Sequence, residues 1–231
     1  MNVYLFLLIG IGVLGWIVQW NLNRKFKLYS QMLLNNGMTG RDVAERMLSE
    51  NGISDVTVRF TGGTLTDHYN PSDKTINLSE SVYAGDNVAA AAVAAHETGH
   101  AIQHAYAYAP LKMRSALVPL VSFSGRWVTW LILGGMVLLG MGQVFFGQTV
   151  AVVGIVLYGL ITLFSFITLP VEINASQRAL AWLSSAGITN SHNDEAARDA
   201  LRSAAYTYVV AALGALANLL YYVWLFFGRR D

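Results

Sequence analysis

The sequence predicts a helical membrane protein with about four transmembrane helices and a small α+β soluble part. Apolar residues make up 54% of the chain and charged residues only 13%, a balance typical of membrane proteins. Apolar runs of spanning length recur along the chain, and residues 24–115 between them have the mixed charge and turn residues of an ordinary soluble domain. The expected organisation is an anchor over 1–23, the soluble part over 24–115 and a transmembrane hairpin over 116–169. A helical segment follows over 170–205, and a last span over 206–231. No internal repeat or low-complexity linker interrupts this order. A formal charge of +1, with no clustered basic patch, speaks against a nucleic-acid partner. The absence of cysteine rules out disulfides, thiol nucleophiles and thiolate metal sites.

Val3 to Trp20 is long and apolar enough to span, and Arg24, Lys25 and Lys27 follow it. The positive charge comes after the run and no small-x-small cleavage site follows, so the segment reads as an uncleaved anchor.

Thr39-Gly40-Arg41-Asp42 has the form of a capping box opening a helix with Val43, Met47 and Leu48 on one stripe, and Gly52 is its expected stop. Ile53 to Phe60, Leu65 to Tyr69 and Thr75 to Leu78 read as short strands around turns at Gly62-Gly63 and Asn70-Pro71-Ser72-Asp73. Asp86 is the expected N-cap of an alanine-rich helix that runs from Asn87 past His100.

Two further spans, Trp127 to Phe146 and Thr149 to Leu169, are expected to form a tight hairpin turning at Gly147-Gln148. Pro170 is expected to open a new helix running to about Ser184. After a polar stretch, the last helix merges with the span Tyr206 to Phe227, which Arg229 and Arg230 end. Lys and Arg collect in 24–27, 112–126 and 178–202, which places those segments together on the cytoplasmic side. Four full spans would leave Arg229 and Arg230 outside, so the last one is allowed to be half buried in protein.

The soluble part contains His96-Glu97-Thr98-Gly99-His100. On a helix, residues four apart share a face about 6 Å apart along the axis, so both imidazoles can meet one metal ion. Glu97 then stands beside the open coordination position, where it can take a proton from an activated water. That is the arrangement that metal-assisted peptide hydrolysis needs. A catalytic zinc keeps three protein ligands. Gln103 and Tyr106 stand where a three-histidine motif would continue with glycine and histidine, so that class is excluded. His104 is about 12 Å from His96 along the axis, a span that favours a supporting or substrate-facing role over ligation. Glu172, directly after a span on the same side, is the better third ligand; the alternative is an acid placed at a helix N-terminus.

With these residues in view, the chain resembles a known family. Leu65-Thr66-Asp67-His68-Tyr69, Leu78-Ser79-Glu80, Ala94 to Gln103 and Leu169-Pro170-Val171-Glu172 are similar to the YugP-type neutral zinc metallopeptidases of bacterial membranes. The resemblance covers nearly the whole chain. It implies a zincin-like soluble domain with a gluzincin-like site: one zinc ion held by His96, His100 and Glu172, with Glu97 as base. The more distant HtpX-type proteases carry an aspartate four residues after the ligand glutamate, where this chain has Ser176, with Asn174 nearby. The role of that aspartate therefore does not carry over.

For the oxyanion of a tetrahedral intermediate, His68, His192, Tyr106 and Arg178 are candidates by residue type alone. His68 lies in a short strand that could accept an extended substrate, though it also fits an ordinary surface histidine; His192 lies in a polar loop. The expected protein is a multi-pass metalloendopeptidase of the bacterial inner membrane. It acts on peptides or proteins, membrane proteins among them, from the cytoplasmic side. Its rivals are an intramembrane protease and a non-catalytic assembly or chaperone protein with a structural zinc. Oligomeric state is not legible.

Overall fold

The computed structural model describes residues 2–228; Arg229 and Arg230 lie outside them. The elements run α1 (Asn2–Tyr29), α2 (Gly40–Glu50), β1 (Thr57–Thr61), β2 (His68–Asn70), β3 (Thr75–Ser79), α3 (Glu80–Tyr83), α4 (Val88–Ala105), α5 (Ala109–Gly140), α6 (Val144–Ser185) and α7 (Asp194–Phe227). The protein is mostly helical with one three-stranded sheet, as predicted. Leu5–Tyr29, α5, α6 and α7 are long and apolar enough to cross a membrane. Trp16–Lys112 and Pro170–Thr207 form one compact unit; the residues up to Gly15, Met113–Leu169 and those from Tyr208 onward form another.

The first unit is built around α4. Asn87, not Asp86, caps this helix: its Oδ1 accepts the Ala90 N–H at 3.0 Å, while the Asp86 carbonyl is taken by the Leu34 N–H at 2.8 Å. Both residue types suit an N-cap, so long-range pairing decides between them. The alanine run keeps α4 thin, and Val88 to Ala95 is buried apart from Val93. Val43, Ala44 and Met47 of α2 and Ile76 and Leu78 of β3 complete this core. The expected capping box of α2 is present, with the Thr39 hydroxyl accepting the Asp42 N–H and the Asp42 carboxylate accepting the Thr39 N–H. Gly52, at φ +70°, follows the end of α2 as expected.

The sheet has the order β1-β3-β2, with β1 parallel and β2 antiparallel to β3. β3 lies where it is expected, whereas β1 and β2 start later than expected. Ile53 is buried before β1 starts, and Leu65 takes a left-handed turn conformation (φ 57°), so β2 begins only at His68. Ile53 and Val56 are loop residues packed on the core, which is why apolar alternation starts before the strand does. In this unit the end of α1 is tied to the start of α7 by Lys25 Nζ and Tyr29 Oη, each 2.6 Å from the Asp199 carboxylate.

Pro170 does not open a helix. α6 runs unbroken through it, since proline costs one intrahelical hydrogen bond and a long, packed helix tolerates that loss. The segment after Pro170 packs closely on α4. A Cβ on Gly99 would stand 2.7 Å from the Ala175 carbonyl oxygen. Gly99→Ala is therefore expected to destabilise the protein by about 1–3 kcal/mol through overpacking, outweighing the gain of about 1 kcal/mol that alanine brings inside a helix. Thermal melting of the detergent-solubilised variant measures this.

In the second unit the hairpin between α5 and α6 turns at residues 141–143, not at Gly147-Gln148. Gly142 takes the left-handed φ of +79° that ends a helix, whereas Gly147 lies inside α6, facing the Leu139 backbone. Thr162 Oγ1 approaches the Ala215 carbonyl and the Tyr158 and Tyr222 rings meet edge to face, so α6 and α7 pack together. Trp130, Phe145, Phe146 and Trp224 are exposed.

Candidate metal centre

α4 presents His96 and His100 one turn apart, with ring centroids 4.8 Å apart and planes nearly perpendicular. The part of α6 after Pro170 brings Glu172 against them: its Oε2 lies 3.2 Å from His96 Nε2 and 3.5 Å from His100 Nε2. Glu172 is 3% exposed and sits inside a long helix, so the reading of it as an acid at a helix N-terminus falls.

One potential ligand atom from each of the three residues lies within 4.8 Å of the others. A tetrahedral ion with bonds of about 2.0–2.1 Å sets its ligands about 3.3–3.4 Å apart, close to the two Glu172 distances. Two imidazoles and a carboxylate also form the donor set of a three-ligand zinc site with an open fourth position. The residues fit a zinc ion.

Each histidine is held through its other ring nitrogen. Ser176 Oγ is 3.1 Å from His96 Nδ1, and Gln103 Oε1 is 3.0 Å from His100 Nδ1. Ser176, the residue four after Glu172, thus meets His96 through a hydroxyl. Gln103 is fully buried and also donates from Nε2 to the Val171 carbonyl (2.8 Å) and to Asn174 Oδ1 (3.1 Å). The sequence assigns Gln103 no role at the site, although a glutamine three residues after a candidate ligand shares its helix face.

Glu97 is 8% exposed and accepts the backbone N–H of Tyr69 at 2.9 Å. Tyr69 pairs with Ile76 on the antiparallel β2–β3 ladder, and β2 is an edge strand, so its outward N–H reaches the Glu97 side chain.

The other candidates are spread differently. His104 does not join the cluster; its Nδ1 lies 2.7 Å from Tyr69 Oη, beside a cavity of about 320 Å³ that Ala101, Asp55 and Lys74 also line. Burial, with the negative charges of Asp55 and Asp73, pushes the Tyr69 phenol up to about 12. His68 is exposed, next to the Thr66 carbonyl and Asn77. Tyr106 is exposed at the end of α4, and His192 is exposed in its loop, with its backbone N–H donated to Asn190. Arg178 donates from Nε to Asn174 Oδ1 at 2.8 Å.

Burial works against a charge on His100. The hydrogen bond that His100 donates to the Glu172 carboxylate and the negative charges of Glu97 and Glu172 outweigh it and raise its pKa above the ordinary 6.5. A metal needs the neutral imidazole, so protons compete with it from a pH above that ordinary value downward. Zinc affinity is expected to fall toward acid pH, by up to about tenfold per pH unit for each proton displaced. For the metal-free fold the sign is opposite. A raised histidine pKa contributes stability that is fully present below the unfolded value and is lost as pH rises through the folded one. Chelator competition and melting curves between pH 5 and 8 test both slopes.

By fold and site, this is a helical membrane protein with a His-His-Glu cluster of the metal-binding kind. The chain belongs to the family described as "Putative neutral zinc metallopeptidase", whose sequence model spans residues 4–227. It is 39% identical over 228 residues, 99% of this chain and 98% of the relative, to "Putative membrane protease YugP" of Bacillus subtilis (strain 168). No solved structure matches it.

Proposed function

We propose that the chain is a multi-pass zinc endopeptidase of the bacterial inner membrane that cleaves peptide bonds in proteins, membrane proteins among them, from the cytoplasmic face. The observation that carries this reading is the convergence of His96, His100 and Glu172 beside a buried Glu97. The three would hold one zinc ion per chain through His96 Nε2, His100 Nε2 and Glu172 Oε2. When bound, zinc supplies a Lewis acid that polarises the scissile carbonyl and acidifies the attacking water.

Glu97 takes the proton of that water and delivers it to the leaving amine. The Tyr69 N–H holds the Glu97 carboxylate in place at the outer edge of β2. The pairing of α4 with β3 and α2 in a mixed α+β core, and its absence from the four long apolar helices, support a site outside the bilayer. The Lys and Arg of residues 24–27 and 178–202 support the cytoplasmic side.

The test is cleavage of an unfolded membrane-protein substrate by the purified protein at one zinc per chain, lost on chelation and restored by zinc. Zinc at that stoichiometry with no cleavage would favour the structural-zinc rival. With no native cysteine to interfere, Asp86→Cys and Tyr106→Cys should react with a membrane-impermeant thiol reagent only in inside-out vesicles. Labelling in right-side-out vesicles would overturn the placement.

A further inference from the structure

We propose that Arg178, a positioning residue outside the ligand set, acts through Asn174 and Gln103, together with the Val171 carbonyl, to fix the tautomer of His100. This rests on the reading of His96, His100 and Glu172 as metal ligands. Each link follows from what its groups can do. An arginine Nε–H can only donate, so the Asn174 atom 2.8 Å away must be the carbonyl oxygen. The Gln103 group 3.1 Å from that same oxygen must then be the amide nitrogen. The Val171 backbone carbonyl, which can only accept, stands 2.8 Å from the same nitrogen and imposes the same orientation independently.

Gln103 therefore has its oxygen facing His100 Nδ1 at 3.0 Å, and Nδ1 must carry the hydrogen. The Nε2 lone pair is left for the metal beside Glu172. Gln103 is fully buried, and its two donors and its acceptor are all engaged, so turning the amide over would set oxygen against oxygen at Val171 and Asn174. Val171 and Asn174 flank Glu172 in α6, so the same amide that orients His100 on α4 also pins the α6 segment carrying the third donor. The corresponding Ser176 contact to His96 is a hydroxyl that can donate or accept, so it imposes no polarity of its own.

The test compares zinc affinity, by competition with a chromogenic chelator, for the wild-type chain and for Gln103→Leu, Asn174→Leu, Asn174→Asp and Arg178→Leu. Gln103→Leu should weaken binding about 10–100-fold, with smaller losses for Asn174→Leu and Arg178→Leu. Asn174→Asp should stay near wild type, because an aspartate oxygen still accepts from both Arg178 and Gln103. In the zinc-loaded wild type, nitrogen-edited NMR should show a slowly exchanging His100 Nδ1–H that is altered in Gln103→Leu. Arg178 is half-buried and lies outside the His96, His100 and Glu172 cluster, so its variant keeps the comparison decisive if Gln103→Leu does not fold. If wild type binds zinc and the leucine variants match it, or Asn174→Asp loses as much as Asn174→Leu, the proposal is overturned while the zinc reading stands. A wild-type chain that binds no zinc overturns both.

Discussion

Glu97→Gln is expected to bind zinc as the wild type does and to lose proteolysis by roughly 10²–10⁴-fold, the range of a removed general base. The substitution separates two properties of this side chain. Glutamine keeps an oxygen that can accept the Tyr69 N–H, at 2.9 Å in the native chain, so the tie between α4 and strand β2 survives. It cannot take up a proton at neutral pH, so the step assigned to Glu97 fails. Zinc content by atomic absorption and turnover of a labelled membrane-protein substrate are the two readouts. Unchanged turnover would sink the assignment of Glu97 as base. Lost zinc together with lost turnover would show that the residue acts on the ligands instead of on the substrate.

What was legible in the sequence follows the range of the interaction concerned. His96 and His100 could be read because helical spacing is local and the alanines before them are strong helix formers. Glu172 could be read because a carboxylate directly after an apolar span calls for a partner. Pro170 was misplaced because proline fits the first turn of a helix as well as it fits a tolerated site inside a long one, and only packing of the following segment on Gly99 distinguishes the two. The hairpin turn was misplaced for a similar reason. Gly142 and Gly147 are both plausible breakers, and the choice depends on which glycine faces a neighbouring helix. The contacts that hold the site in place, Tyr69 to Glu97 and Gln103 to Asn174, join residues far apart in the chain. Their pairing depends on which face of α4 meets the sheet and which meets α6, and no local pattern carries that information.

Glu172→Gln is expected to lose zinc by more than the 10–100-fold that outer partners contribute and to abolish cleavage, while the metal-free protein melts within a few degrees of wild type. The argument turns on what Glu172 does without metal. A carboxylate 3% exposed is costly to desolvate, but its hydrogen bonds with His100 and His96 and their positive charge more than repay that cost. Replacing it with a neutral group of the same shape removes both the cost and the attraction, so the empty fold loses only the difference between them. In the loaded protein a neutral amide is a poor donor to zinc, and two imidazoles alone do not hold the ion. His96→Ala serves as the reference, since it too removes a donor but leaves Glu172 buried beside a single imidazole, and it should lose zinc and lower the melting temperature together. A structural-zinc protein predicts a different pattern, with every ligand variant and chelation itself unfolding the soluble unit. Glu172→Gln that retains zinc at wild-type affinity would remove Glu172 from the ligand set and leave the two histidines to find their third partner elsewhere.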